Sequence, residues 1–267
     1  MSAKSNPTIA FFGSTGGCAN ACLVHCLLAG YDVSALVRTA SKLTSQLLAQ
    51  GLTQETLDQH LTIIQGDATN VEDVKRTVVS DGSLVSFIIS GLGGKAVLQK
   101  SLRRPVTLDN PDICASSTAT LLNALREVFA ENPLTAAIKP LLAYVSTTGI
   151  SNGPQDVPFW FRFLYRVLVA VPAVDKRKME RALKLHMAQP DASQHFFRGI
   201  VGVRASMLTG GIDYKKGKGW RTLRVGMEEK PAIGYTIPRS DVGQWIFEEV
   251  VKKNGGEWVG KIATLTS

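Results

Sequence analysis

Apolar positions along this chain fall into short, near-continuous runs separated by longer stretches in which they recur every third or fourth residue. The first pattern predicts strands and the second helices, and their alternation marks βαβ units around a parallel sheet. Strands are predicted at Thr8 to Phe12, Asp32 to Val37, Leu61 to Gln65, Leu84 to Ser90, Leu141 to Thr147 and Gly199 to Val203, with Ala232 to Ile237 as a seventh candidate. Several of these runs are almost entirely Val, Ile, Leu and Phe, which implies burial on both faces. Helices are predicted at Gly17 to Ala29, Ala40 to Gln50, Val71 to Val79, Ile113 to Glu131, Val174 to Ala188 and Ser240 to Lys253. Asn70, with Asp73 at the third helical position, and Ser240 are the expected caps of two of them.

Right-handed crossovers then build an α/β fold, a doubly wound parallel sheet of order 3-2-1-4-5-6. A ligand should lie beyond the carboxyl ends of the strands, where the order reverses between the first and the fourth. The expected organisation is one domain over residues 1–267 with long loops on the substrate side, at about 91–112, 149–172 and 204–230.

The turn after the first strand reads Gly13-Ser14-Thr15-Gly16-Gly17-Cys18-Ala19, a G-x-x-G-x-x-G pattern with Ala19 in the last position. Between a strand and a helix, this is the phosphate turn of a Rossmann nucleotide-binding unit. Gly13 makes the bend, Gly16 lets backbone approach a diphosphate, and Ala19 allows close packing of helix on strand. Backbone N–H groups from Ser14 to Cys18 face the phosphates. Where an acidic residue would select NAD, the second strand ends in Arg38, Thr39, Ser41 and Lys42. A guanidinium can pair with a 2′-phosphate, so the expected cofactor is NADP(H). Asp67 and Ala68 after the third strand should meet the adenine edge, and Gly91, Leu92 and Gly93 after the fourth should flank the cofactor's middle.

Composition changes this picture little. The chain has 267 residues, is 45% hydrophobic and 19% charged, and carries a formal net charge of +8. That suits a soluble globular protein that attracts anions. The basic residues near Arg177 to Lys184 and Lys215 to Arg224 lack interleaved stacking aromatics, so no nucleic-acid partner is expected. Met1 to Pro7 holds no leader pattern, and Phe159 to Val174 is interrupted by Arg162 and Arg166, so neither secretion nor an integral membrane segment is expected. A cytoplasmic protein follows, with free thiols. Cys18, Cys22 and Cys26 lie four apart on the first helix, on one buried face, in neither a zinc nor a cluster spacing; no metal site is expected.

These motifs, together with Gly66-Asp67, Tyr144 to Thr148, Asp175-Lys176 with Met179-Glu180, Arg204 to Gly210 and Ile237 to Val242, resemble the atypical short-chain dehydrogenase/reductases. The resemblance is to the NmrA-like group that includes the biliverdin-IXβ and flavin reductases. It runs nearly end to end and extends to fungal proteins of specialised (secondary) metabolism. It implies an oxidoreductase in which the fifth-strand hydroxyls and a following helix lysine lie near the nicotinamide. That points to Ser146, Thr147, Thr148 and Lys176 as catalytic residues.

The usual Tyr/Lys pair of short-chain dehydrogenases, four residues apart, is missing: Tyr144 and Tyr165 have no such lysine, and Tyr214 with Lys218 falls in a loop too late in the chain. Ser146 or Thr148 could donate a hydrogen bond, with Lys176 or water supplying a proton. Glu180 is expected to pair with Lys176 one turn before it. The aromatic segment Pro158 to Val171 is expected to pack as a helix on the sheet or to wall a greasy pocket. Three readings stay open: an NADPH-dependent reductase of a small hydrophobic carbonyl, quinone-like or flavin-like compound; a redox-neutral isomerase or cyclase that keeps NADP as scaffold; and a non-catalytic NADP-sensing interaction protein. A homo-oligomer is compatible with all three.

Overall fold

A computed structural model describes residues 7–94, 96–98, 106–132, 139–161 and 170–267. Its main sheet has eight strands: β1 Ile9–Phe12, β2 Val33–Val37, β3 Leu61–Gln65, β4 Phe87–Ser90, β5 Leu141–Thr147, β6 Gly199–Ala205, β7 Arg224–Met227 and β8 Ile262–Thr266. Their order is β7-β8-β6-β5-β4-β1-β2-β3. All neighbours are parallel except β7 and β8, which run antiparallel. The 3-2-1-4-5-6 core is therefore as the apolar runs predict, and β1 sits between β2 and β4 at the switch point.

The seventh strand differs from the expectation. Residues 232–235 are not a strand, and Thr236–Pro238 instead pairs with Met207–Thr209 in a separate two-stranded sheet. The place beside β6 goes to β8, whose five residues are all buried. The physical reason is that burial: Ala263 and Leu265 of β8 join the apolar layer of α1 and α7, whereas Tyr235 in the earlier run is half-exposed.

Helices α1 Gly17–Leu28, α2 Ala40–Ala49, α3 Gln54–His60, α4 Val71–Val78, α5 Ile113–Glu131, α6 Ala170–Met187 and α7 Arg239–Trp245 cover the sheet. Alternation along β1 shows how the two cores form. Ile9 and Phe11 join one layer with α1 and α7, while Ala10 and Phe12 join the other with α4, α5 and α6. Cys18, Cys22 and Cys26 pack in the first layer as free thiols. The Asn70 side chain caps α4 by accepting from the Asp73 N–H at 3.1 Å. Ser240 caps nothing: strand pairing runs through Pro238, so α7 begins at Arg239 with Pro238 in the capping position and Ser240 buried in the first turn. The single helix expected to Lys253 gives way after Trp245 to a wider π-helical stretch, Ile246–Val251. Among the described residues no helix is long and apolar enough to cross a membrane.

Candidate functional site

The turn after β1 is shaped by close backbone approach. Gly13 has φ 79°, and a Cβ there would stand 2.8 Å from the Gly91 carbonyl carbon. Gly91 in turn faces Ala19, whose Cβ would be 2.7 Å from a Cβ at position 91. The loops after β1 and β4 thus meet with no room for side chains. Gly16 N–H donates to the Gly13 carbonyl at 2.9 Å, and the first helical bond runs from Asn20 N–H to the Gly16 carbonyl at 2.8 Å. The N–H groups of Gly17, Cys18 and Ala19 therefore have no partner within the helix and stand at its positive end.

The turn is held from behind. Asn20 donates through Nδ2 to the Ser14 carbonyl at 2.8 Å, Gln50 Nε2 donates to Asn20 Oδ1 at 2.7 Å, and Tyr214 N–H donates to Gln50 Oε1 at 3.1 Å. Ser14 is fully buried and its Oγ has no partner among the described residues.

Two adjoining cavities lie along the carboxyl ends of the strands. The smaller, about 220 Å³, is lined by Gly13, Thr15 and Gly16, by Leu36, Val37, Arg38 and Lys42, by Gly66, Asp67 and Ala68, and by residues 91–94. It thereby collects most of the residues expected to bind a nucleotide. Asp109, Asn110 and Ile113 complete it, and no motif marked them. Asp67, exposed at the groove edge, folds back on its own turn, accepting from Thr69 N–H at 2.8 Å and Thr69 Oγ1 at 2.7 Å, bonds that hold its carboxyl below the usual range. The close backbone turn at Gly13, the N–H groups at the start of α1 and an exposed Arg38 at the far edge form a donor set that fits a phosphorylated dinucleotide.

The larger cavity, about 640 Å³, begins at Gly16, Gly17 and Cys18 and runs past residues 91–94 to Val145, Ser146, Thr147, Lys176 and residues 205–208. Ser146 is buried, and its Oγ has no partner among the described residues. Thr148 is not on the wall; it is 1% exposed and lies one step beyond the strand. Lys176 donates to the Leu92 carbonyl at 2.7 Å and the Val145 carbonyl at 2.6 Å, tying the ends of β4 and β5 together. Its neighbour Asp175 is buried and accepts from the N–H groups of Cys114 at 2.9 Å and Ala115 at 2.8 Å, so α6 caps α5 across the cavity floor. Cys114 and Cys18 also line the cavity; burial pushes their thiols up to about 11 and about 12, so both stay neutral and apolar. Cys114, Asp175, Met207, Leu208 and Arg239 were not singled out from sequence as site residues, although all but Cys114 lie within the resemblance motifs.

The expected Lys176–Glu180 pair is not formed. Glu180 instead accepts from buried Arg204 at 3.1 and 2.6 Å, and Arg204 also reaches Glu228 at 2.9 Å. A bidentate guanidinium on the neighbouring strand outcompetes a lysine one turn away. Tyr144 faces this network rather than the cavity. Burial, and then Glu180, keep its phenol protonated. Tyr214 packs edge-on against His25, and Lys218 donates its backbone N–H to Asp241, so neither reaches the cavity wall. Of the aromatic segment, residues 162–169, including Arg162, Phe163, Leu164, Arg166, Val167 and Leu168, lie outside the described residues. Phe159 and Trp160 are exposed.

Asp156, 2% exposed, accepts from the Gly149 N–H at 2.8 Å through Oδ1, while Oδ2 has no partner among the described residues. Burial raises its carboxyl above the ordinary value. A raised folded-state pKa gives stability that is present below the ordinary carboxylate range and lost as the pH climbs through the raised value. Asp156→Asn is therefore expected to raise the melting temperature near neutral pH and to change it little near pH ~4. Equal shifts at both pH values would show that charge burial is not the cause.

The cavities, the glycine turn and the sheet order define a Rossmann-type nucleotide-binding protein. No protein-family model matches the sequence. The chain is 44% identical to the oxidase pynE of Aspergillus niger over 98% of its length and 99% of that protein's. It is 42% identical to the reductase pytE of Aspergillus terreus, again over 98% of this chain and 99% of the relative. Among solved structures, the fold is similar to a short-chain dehydrogenase/reductase from Veillonella parvula in complex with NADP, with TM-score 0.66 and 14% identity over 98% of this chain and 94% of that one. An anaerobillin reductase from Escherichia coli O157:H7 matches with TM-score 0.60 and 16% identity over 97% and 96% of the two chains. The protein belongs to the family of the two fungal oxidoreductases.

Proposed function

We propose that this protein is an NADPH-dependent reductase of a small hydrophobic carbonyl, quinone-like or flavin-like compound, acting in the cytoplasm in fungal specialised metabolism. The observation that carries this reading is the continuity of the two cavities: a nucleotide groove edged by Arg38 leads past the glycine turn into a larger chamber walled by Ser146, Thr147 and Lys176. Arg38 and Lys42 would hold the 2′-phosphate, Asp67 and Ala68 the adenine edge, the start of α1 the diphosphate, and Gly91, Leu92 and Gly93 the middle of the cofactor. Bound NADPH supplies a hydride. The named reductase pytE and the NADP-bound structural relative support that assignment.

The chain's own residues shape the rest. Cys18, Cys114, Met207 and Leu208 offer an apolar surface for the substrate body. Ser146 Oγ, without a partner among the described residues, would donate a hydrogen bond to a substrate oxygen and stabilise the charge that develops there. Lys176 has three N–H donors and spends two on carbonyls, which leaves one for a cofactor or substrate hydroxyl.

Observed NADPH oxidation with a panel of quinones, flavins and aromatic carbonyl compounds, lowered by Ser146→Ala and by Lys176→Met, tests the reading. Tight NADPH binding without oxidation of any of them would overturn it. Arg38→Asp is expected to weaken NADPH about 10-fold or more while leaving NADH nearly unchanged, because a charge-assisted pair to the 2′-phosphate is lost. Fluorescence titration of both cofactors reads this, and an unchanged preference would move the 2′-phosphate elsewhere.

A further inference from the structure

We propose that Arg239 clamps the diphosphate of the bound dinucleotide against the amino end of α1, a role that rests on the NADP reading above. Arg239 opens α7, far from the glycine turn in sequence, yet its side chain lies over Gly17. A Cβ on Gly17 would run into the Arg239 side chain and stand 2.7 Å from the Gly211 carbonyl oxygen. Gly17 is bare because an arginine needs the space, a requirement separate from ligand approach at Gly16.

The guanidinium is aimed rather than spent. Nη1 donates to the Gly210 carbonyl at 2.6 Å, which fixes its direction and leaves most of its N–H donors available. Asp241, two residues on, is occupied by the N–H groups of Lys218 and Gly219 at 3.1 Å each. Arg239 lines the larger cavity beside Gly16, Gly17 and Cys18, and of the charged groups around the Cys18 thiol it acts most strongly. A fixed cation beside unspent helix N–H groups is suited to a dianionic bridge. The two arginines then divide the cofactor: Arg38 reads the 2′-phosphate that distinguishes NADPH, and Arg239 holds the diphosphate that NADPH and NADH share.

The test titrates NADPH, NADH and adenosine 2′-monophosphate, which lacks the diphosphate, into wild-type, Arg239→Met and Arg239→Lys protein. The methionine keeps an apolar stem over Gly17 and removes the charge. Expected is an equal loss for NADPH and NADH of about 10-fold or more with methionine, partial recovery with lysine, and binding of adenosine 2′-monophosphate within about two-fold of wild type. Unchanged NADPH and NADH binding overturns the proposal, as does a parallel loss for adenosine 2′-monophosphate, which would signal a deformed groove. Should the methionine variant fail to fold, the lysine and glutamine variants carry the same comparison. If the wild type binds neither dinucleotide, the cofactor reading itself fails, a result distinct from loss on substitution.

Discussion

Arg204→Met is expected to cost about 3–5 kcal/mol of folding stability, because it strands Glu180 inside the protein without its cation. The side chains of Arg204 and Glu180 are 2% and 5% exposed and bond bidentately, while Glu228, a quarter exposed and also bonded to Lys184, is less dependent on the arginine. Burial works against the charge on Arg204, yet the two carboxylates raise its pKa well above the free value, so the guanidinium stays charged inside the protein. Replacing Arg204 and Glu180 together by Met and Leu should recover much of the loss, since two buried charges vanish at once. Urea denaturation of the two single variants and the double variant reads the coupling. Additive losses would mean that the pair is not the source of the effect.

Gly13→Ala should abolish cofactor binding, with affinity for NADPH lowered about 100-fold or more, and should lower the melting temperature as well. A left-handed backbone costs an alanine about 1–2 kcal/mol, and its Cβ would press on the Gly91–Leu92 peptide at 2.8–2.9 Å. Relief requires the loops after β1 and β4 to separate, and those loops form the floor shared by both cavities. Titration with NADPH alongside a thermal melt separates the two effects. A variant that melts lower but binds normally would show that the turn can relax without moving the groove.

The residues that line the smaller cavity were largely legible because they are local. A strand, a glycine turn and a helix follow one another within residues 9–28, and Arg38 comes at the end of the next strand. The wall of the larger cavity was less so. Ser146 and Thr147 were placed through resemblance, and the geometry then separated them from Thr148, a distinction one residue along a strand that no pattern records. The pairing of Glu180 escaped because helix spacing offers Lys176, while the partner that wins lies on β6. β7 was missed for lack of signal: Arg224–Met227 is a short edge strand with two exposed residues and a glycine. α3 has a single buried residue, Leu57, too little for a helical period to show.

The hydrogen-bond chain from Ser14 through Asn20 and Gln50 to Tyr214 also has a temporal meaning. The phosphate turn is synthesised well before the segments that hold it: its brace closes on a backbone N–H 164 residues beyond Gln50, and Gly17 is covered from still later in the chain. A growing polypeptide therefore carries an unfinished cofactor turn until Tyr214 and Arg239 have left the ribosome. The ligand that stabilises the native state can help only at the end of folding, so the half-made chain depends on its apolar layers alone.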